Sequence, residues 1–316
     1  VSDISPRQRR IAVLSSVTVV AIWSGSGVFS HFATGTSTTL QAAWLESLCG
    51  LGFVTIVALA SRVQRLFRVL RPRDFLRITI LGLLAHTGYY AFLFLGFSAG
   101  YPIQTMALNY TWAVFMVIFG VAINHVSLTW DRAASVLLGA AGAAIVILPE
   151  FTELARFSPG ALAGLGAGFC FGLFTPLSVR WGYDPRLVTW WMLAVSLGVF
   201  SALLVVTNTP LAFAWKGLLG AAYMGVGVDG IGYVLWQRAN RVLPAWLLAV
   251  WVCVIPVVNI ALLAIVFRFP MHRNVLLGAT LIGTGIVFQH GVAIVRRRHG
   301  SDDGGVDVRT PNLNNS

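Results

Sequence analysis

Three groups of polar side chains stand in apolar surroundings. His86, Tyr89 and Tyr90 are spaced i, i+3 and i+4, which puts an imidazole and two phenols on one side of a helix. Asn109, Tyr110 and Trp112 follow beyond a Ser98–Pro102 turn, and Asp229 and Tyr233 stand among Gly225, Gly227, Gly230 and Gly232. Trp251 and Asn259 flank Pro256, and Glu46 interrupts a further apolar run. Such groups are not turned toward lipid, so they mark an internal, partly wet cavity. Their chemistry is that of binding: the rings offer flat apolar faces with hydroxyl or indole handles, suited to an aromatic guest. His86 and Asp229 leave two roles open. If they meet, they form a clamp or a substrate contact; if they are apart, Asp229 is a candidate proton carrier. Glu46 reads as a partner for a neighbouring helix.

Catalytic constellations are absent from the sequence. It contains no HExxH, no clustered cysteine–histidine spacing, no Walker loop and no nucleophile elbow, and no strand precedes the glycines of residues 225–232. No catalytic residue, metal or cofactor is therefore expected. Cys49, Cys170 and Cys253 are isolated in apolar runs and read as small fillers. The net charge of +11 raises nucleic acid as a partner, but the arginines lie between apolar runs and not on a soluble basic face. A channel and an integral membrane enzyme remain as competing classes: the first would conduct without saturating, the second would turn over product.

The elements that must hold these residues are membrane spans. The 316-residue chain is 57% hydrophobic and 10% charged, with a mean hydropathy of +0.79, far from soluble usage. Ten spans are read, beginning with Ile11–Ala33 and a second over about 40–60. Residues 81–124 form a hairpin of two spans, with Pro102 opening its second arm. Further spans lie over about 133–149, 158–179, 187–206, 215–236, 244–267 and 274–295. Gly160, Gly164, Gly168 and Gly172 form a bare stripe for close helix packing. Trp190 and Trp191 read as an interfacial belt. Seventeen lysines and arginines fall beside the N-terminal side of the bilayer and four beside the other, which places both termini in the cytoplasm.

Ten spans divide into five and five. Sliding the hairpin by 142 residues lays Gly88 on Gly230, Pro102 on Pro244 and Ala107 on Ala249. Because five is odd, the halves lie in opposite orientations, the arrangement of alternating-access carriers with substrate held between the halves. The expected architecture is an all-α integral membrane protein with ten transmembrane helices as two inverted five-helix repeats around a central cavity. Residues 1–10 precede the first repeat (11–149), the second spans 158–295, and a disordered tail covers 300–316.

The Trp23-Ser24-Gly25 near the end of span one, the Tyr89-Tyr90 pair and the Asn109-Tyr110-Thr111-Trp112 run resemble the drug/metabolite transporter superfamily, and within it the EamA-type aromatic amino acid exporters. The resemblance covers about residues 11–295. It implies a cavity built from spans one to four and six to nine, with five and ten peripheral. It also implies export of small metabolites, foremost aromatic amino acids, across a bacterial inner membrane. Trp23, His86, Tyr89, Tyr90, Asn109, Tyr110, Trp112, Asp229, Tyr233 and Trp251 are then the substrate-binding candidates. The expected partners are a small-molecule substrate and membrane lipid, not nucleic acid. The sequence departs from the family pattern at Ala113, where proline is usual, and at Glu46, where arginine is common.

Overall fold

A computed structural model of the chain describes residues 5–35, 37–62, 67, 70–99, 102–147, 162–212, 214–268 and 273–298. Gly160, the acidic stretch at Glu150 and Glu153, Arg65 and Arg68, the side chain of His290 and the tail from Gly300 lie outside the described residues. All regular structure in the described residues is helical. The helices are α1 (Pro6–Ser24), α2 (Ser26–Thr34), α3 (Thr39–Ala60), α4 (Pro72–Gly82), α5 (Tyr89–Ser98), α6 (Pro102–Asn109), α7 (Trp112–Asn124) and α8 (Trp130–Ile147). The second half supplies α9 (Ala163–Trp181), α10 (Pro185–Val206), α11 (Trp215–Ala222), α12 (Tyr233–Asn240), α13 (Ala245–Val252), α14 (Ile255–Phe267) and α15 (Arg273–Arg298). Two π-helical stretches, Leu83–Gly88 and Tyr223–Gly232, join α4 to α5 and α11 to α12.

Helix starts follow local capping chemistry. Ser5 and Thr38 each accept from the amide three residues on, at Gln8 and Gln41, whose side chains return the bond. The third span begins at Pro72, nine residues before the expected Leu81, because Asp74 accepts from the Arg71 amide at 2.9 Å and Pro72 suits the first helical position. Pro102 opens α6 as expected.

Six helical stretches of the described residues are long and apolar enough to cross a membrane: Pro6–Thr34, Thr39–Ala60, Pro72–Phe97, Pro185–Val206, Trp215–Asn240 and Ala245–Phe267. The other four expected spans are also occupied by helix, in α6–α7, α8, α9 and α15, but do not meet that measure. The count of ten is thus not reproduced by length and apolarity. For α6–α7 the reason is a break: the Thr111 amide bonds Leu108 O at 3.1 Å and that of Ala113 bonds Tyr110 O at 3.3 Å, so the run tightens and divides without a proline at position 113.

Large apolar side chains cover much of the outer surface, while several polar and ionisable ones are buried. Ile56, Leu137, Val205, Ile265 and Leu276 are exposed, whereas Glu46, His86, Asn109 and Asp229 are buried. This inversion is expected where the surrounding solvent is hydrocarbon. Close approaches occur where glycine removes a side chain. A Cβ on Gly164 would stand 2.1 Å from Thr105 O, and one on Gly172 2.4 Å from Phe115 Cβ, so the glycine stripe packs α9 against α6 and α7. A Cβ on Gly225 would stand 2.1 Å from Glu46 O, so the glycine lets the second π-helical stretch press onto α3. The Trp190 and Trp191 indoles donate to Thr55 and Thr79 at 2.8 Å and pin α10 to α3 and α4.

Candidate substrate cavity

The two π-helical stretches face each other at the centre of the molecule and carry its buried titratable pair. His86 Nε2 lies 3.2 Å from Asp229 Oδ2, and the two side chains are 0% and 1% exposed. A π-helical turn widens the backbone ring and leaves carbonyls free for outside donors. Both stretches use this. Ala85 O accepts from Tyr233 Oη at 2.7 Å, and Val228 O accepts from Trp23 Nε1 at 3.3 Å. Each bond crosses from one half of the chain to the other.

Around the pair, Tyr90 donates to Glu46 Oε1 at 2.6 Å and lays its ring 4.5 Å from that of His86. Glu46 is also within interaction range of Asp229 and His86. Asn109 Nδ2 donates to Tyr89 Oη at 3.1 Å, while Asn109 Oδ1 and His86 Nδ1 are buried without a hydrogen-bond partner. The neighbouring Thr87 and Ser196 hydroxyls bond each other at 2.8 Å, joining the first π-helical stretch to α10.

These side chains surround two connected chambers. An inner chamber of about 130 Å³ is walled by Trp23, Tyr89, Asn109, Trp112, Asp229 and Tyr233, among others. An outer chamber of about 660 Å³ includes Glu46 and runs between Thr34, Thr39, Phe97, Val146, Leu263 and Val275. Ser26, Tyr89, Tyr90, Met106, Tyr110, Met224 and Asn259 belong to both. The outer volume falls in the range of roughly 300–1,000 Å³ usual for small-molecule sites.

At its other end the inner chamber is closed by rings. Trp23 packs against Trp112 (6.5 Å between centroids), Phe171 (5.8 Å), Tyr233 (6.0 Å) and Trp236 (5.4 Å). Beyond this plug a polar strap ties the connections together. Tyr183 Oη donates to Asp74 Oδ1 at 2.7 Å, Arg241 bonds Tyr183 O, and Asn124 Nδ2 reaches Pro176 O at 3.0 Å. The cavity is therefore accessible toward the α2–α3 end and shut toward the α9–α10 connection.

Eight of the ten expected site residues line the inner chamber: Trp23, Tyr89, Tyr90, Asn109, Tyr110, Trp112, Asp229 and Tyr233. His86 stands behind them as the partner of Asp229. Trp251 is not among the lining residues of either chamber; it packs partly buried against the apolar core, because the break at Cys253–Val254 turns α13 away from the path that α14 lines. Ser26, Met106, Phe171 and Met224 were not singled out by the sequence. Ser26 had a signal in the helix-breaking glycines around it; the methionines had none. Among the described residues no cluster of three or more potential metal ligands occurs.

A family profile described as the EamA-like transporter family matches the chain twice, over residues 10–148 and 158–289. No curated protein matches it. One solved structure, titled only "Crystal structure of protein", is similar at 21% identity with a TM-score of 0.78, covering 90% of this chain and 99% of the other. That likeness speaks for the fold.

Proposed function

Because the chain belongs to the EamA-like transporter family, a family of multi-pass small-molecule transporters, we propose that it is a secondary carrier working by alternating access. It exports small metabolites bearing an aromatic ring, aromatic amino acids among them, across the cytoplasmic membrane of a bacterium. The observation that carries this reading is the two-chamber cavity between the halves, open at one end and closed by packed aromatic rings at the other. A route closed at one end is a carrier's geometry and not a channel's.

In this reading the chain makes ten crossings as two inverted halves, 11–149 and 158–295, with both termini in the cytoplasm. Three paired features support the repeat. The π-helical stretches recur at the 142-residue offset, as do the helix breaks after Tyr110 and Val252, and α7 and α14 both end on left-handed residues, His125 and Arg268. The outer chamber then faces away from the cytoplasm. Tyr89, Tyr90, Tyr110, Trp112 and Trp23 would contact the substrate ring, with His86, Asn109, Asp229 and Tyr233 around its polar end. A second reading, a broader drug and metabolite exporter, is favoured by Met106 and Met224, whose adaptable side chains are shared by both chambers.

Exchange in proteoliposomes tests the carrier: preloaded phenylalanine or tryptophan should accelerate uptake of the labelled compound, with saturation. Uptake that rises linearly with concentration would reject a carrier. Cysteine labelling tests orientation: residues in the 62–74 connection should react only from the cytoplasm, and residues in the 98–101 turn only from outside.

A further inference from the structure

The charge of the cavity is unbalanced. Glu46 borders the outer chamber and Asp229 the inner one, with Tyr90 bordering both, and among the described residues that line the two chambers there is neither lysine nor arginine. The base in contact with the pair is His86. With one proton among Glu46, Asp229 and His86 the cluster carries a charge of −1, whichever atom holds it. Neutrality needs one more positive charge, which either a second proton or a bound cation supplies.

A second observation points to the chemistry that would supply it. Asn109 lines the inner chamber, is 2% exposed, and its Oδ1 is a buried acceptor with no partner among the described residues, while its amide nitrogen donates to Tyr89. An unused acceptor calls for a donor. The rings of Tyr89, Tyr90, Tyr110, Trp23 and Trp112 supply electron-rich faces, which attract a cation as well as an aromatic body. A carboxylate, by contrast, would enter beside two acids with no cationic side chain to receive it.

We propose that the cavity recognises an ammonium group next to an aromatic ring, so that arylalkylamines bind more tightly than the corresponding amino acids. This refines the substrate of the carrier described above and rests on its cavity being the substrate path. The ammonium bonds Asp229 or Glu46 and donates to Asn109 Oδ1, and the ring lies among the tyrosines and tryptophans. The carboxylate of an amino acid is then a burden on binding.

Equilibrium binding of labelled phenethylamine, trimethylphenylammonium and phenylalanine to the purified full-length protein in lipid nanodiscs tests this. Phenethylamine should bind roughly tenfold or more tightly than phenylalanine, the loss expected when a charge is left unpaired in a buried site. Trimethylphenylammonium, which keeps the charge but has no N–H for Asn109, should fall between them. Asp229→Asn and Glu46→Gln should each weaken both cations by a larger factor than they change phenylalanine binding, and an equal loss for all three ligands would overturn the proposal. Because the wild-type comparison needs no variant, it stands even where a substitution prevents folding. Phenylalanine binding as tightly as phenethylamine would overturn the proposal and leave the carrier intact. Failure of both cations to bind would overturn it too, and phenylalanine exchange in proteoliposomes would then judge the carrier separately.

Discussion

The two π-helical stretches occupy equivalent places in the two halves, yet they differ in length and in what they carry. The first has six residues and presents His86 and Thr87; the second has ten, four of them glycine, and presents Asp229. The repeat register lays Thr87 on Asp229, one position from the histidine. Backbone geometry has thus been kept between the halves while the side chains have diverged into an acid and a base. The longer stretch also lies closer to its neighbour. A Cβ on Gly225 would stand 2.1 Å from the α3 backbone, whereas one on Gly82, just before the first stretch, would stand 3.0 Å from Met192 Cα of α10. The buried acid and base stand where the halves differ, on a frame that they share.

The strongest way to break this comparison is to remove one member of the pair. His86→Leu or Asp229→Leu should each cost about 3–5 kcal/mol, because the remaining group is buried without its partner. The double Leu variant should be more stable than either single one. Thermal unfolding in detergent measures this, and additive losses would show that the two residues act independently.

Next in size are the backbone approaches. Gly225→Ala should destabilise by about 1–3 kcal/mol, since the Cβ would meet a carbonyl that cannot move aside, and Gly82→Ala by less. Gly198→Ala, in α10 with nothing within 4 Å, is the control and should be neutral or stabilising by up to about 1 kcal/mol. Equal losses at Gly225 and Gly82 would erase the asymmetry between the halves.

The cavity rings come third. Ala in place of Tyr89 or Tyr110 should weaken transport of aromatic substrates by roughly 2- to 13-fold, from a ring-pair contribution of about 0.5–1.5 kcal/mol. Small aliphatic substrates should be affected less, at unchanged membrane abundance. The smallest effects belong to the crossed bonds. Tyr233→Phe and Trp23→Phe should each lower stability by about 1 kcal/mol.

Much of the site was legible because membrane interiors make polar residues conspicuous. The repeat register allowed a contact between His86 and Asp229 without deciding it, and the polar character of Tyr89, Asn109 and Tyr110 in apolar runs marked them as cavity residues. Trp251 misled because an aromatic residue in a span is as well suited to packing as to binding, and only the bend at Cys253 decides which. Glu46 was read as the partner of a neighbouring helix, and Tyr90 Oη is that partner, but its place on the chamber wall carried no local signal. The π-helical stretches were not legible either. Glycines at residues 225–232 hinted at irregular backbone, but Leu83–Gly88 contains a single glycine, so its widening is imposed by tertiary partners and not by propensity.

The crossed bonds have a mechanical consequence. Tyr233 of the second half holds Ala85 O of the first, and Trp23 of the first holds Val228 O of the second, so each half keeps the other's loosened carbonyl covered. Parting the halves at this level strips both bonds together. That exposes two donors and two carbonyls in an environment where each unmet polar group costs about 1–3 kcal/mol. Releasing one bond alone gains no passage, because the second still bridges the seam. The seal therefore behaves as a double latch, with a preference for fully shut or fully parted and little tolerance for ajar. In the carrier proposed above, such a latch would keep the two ends from opening at once.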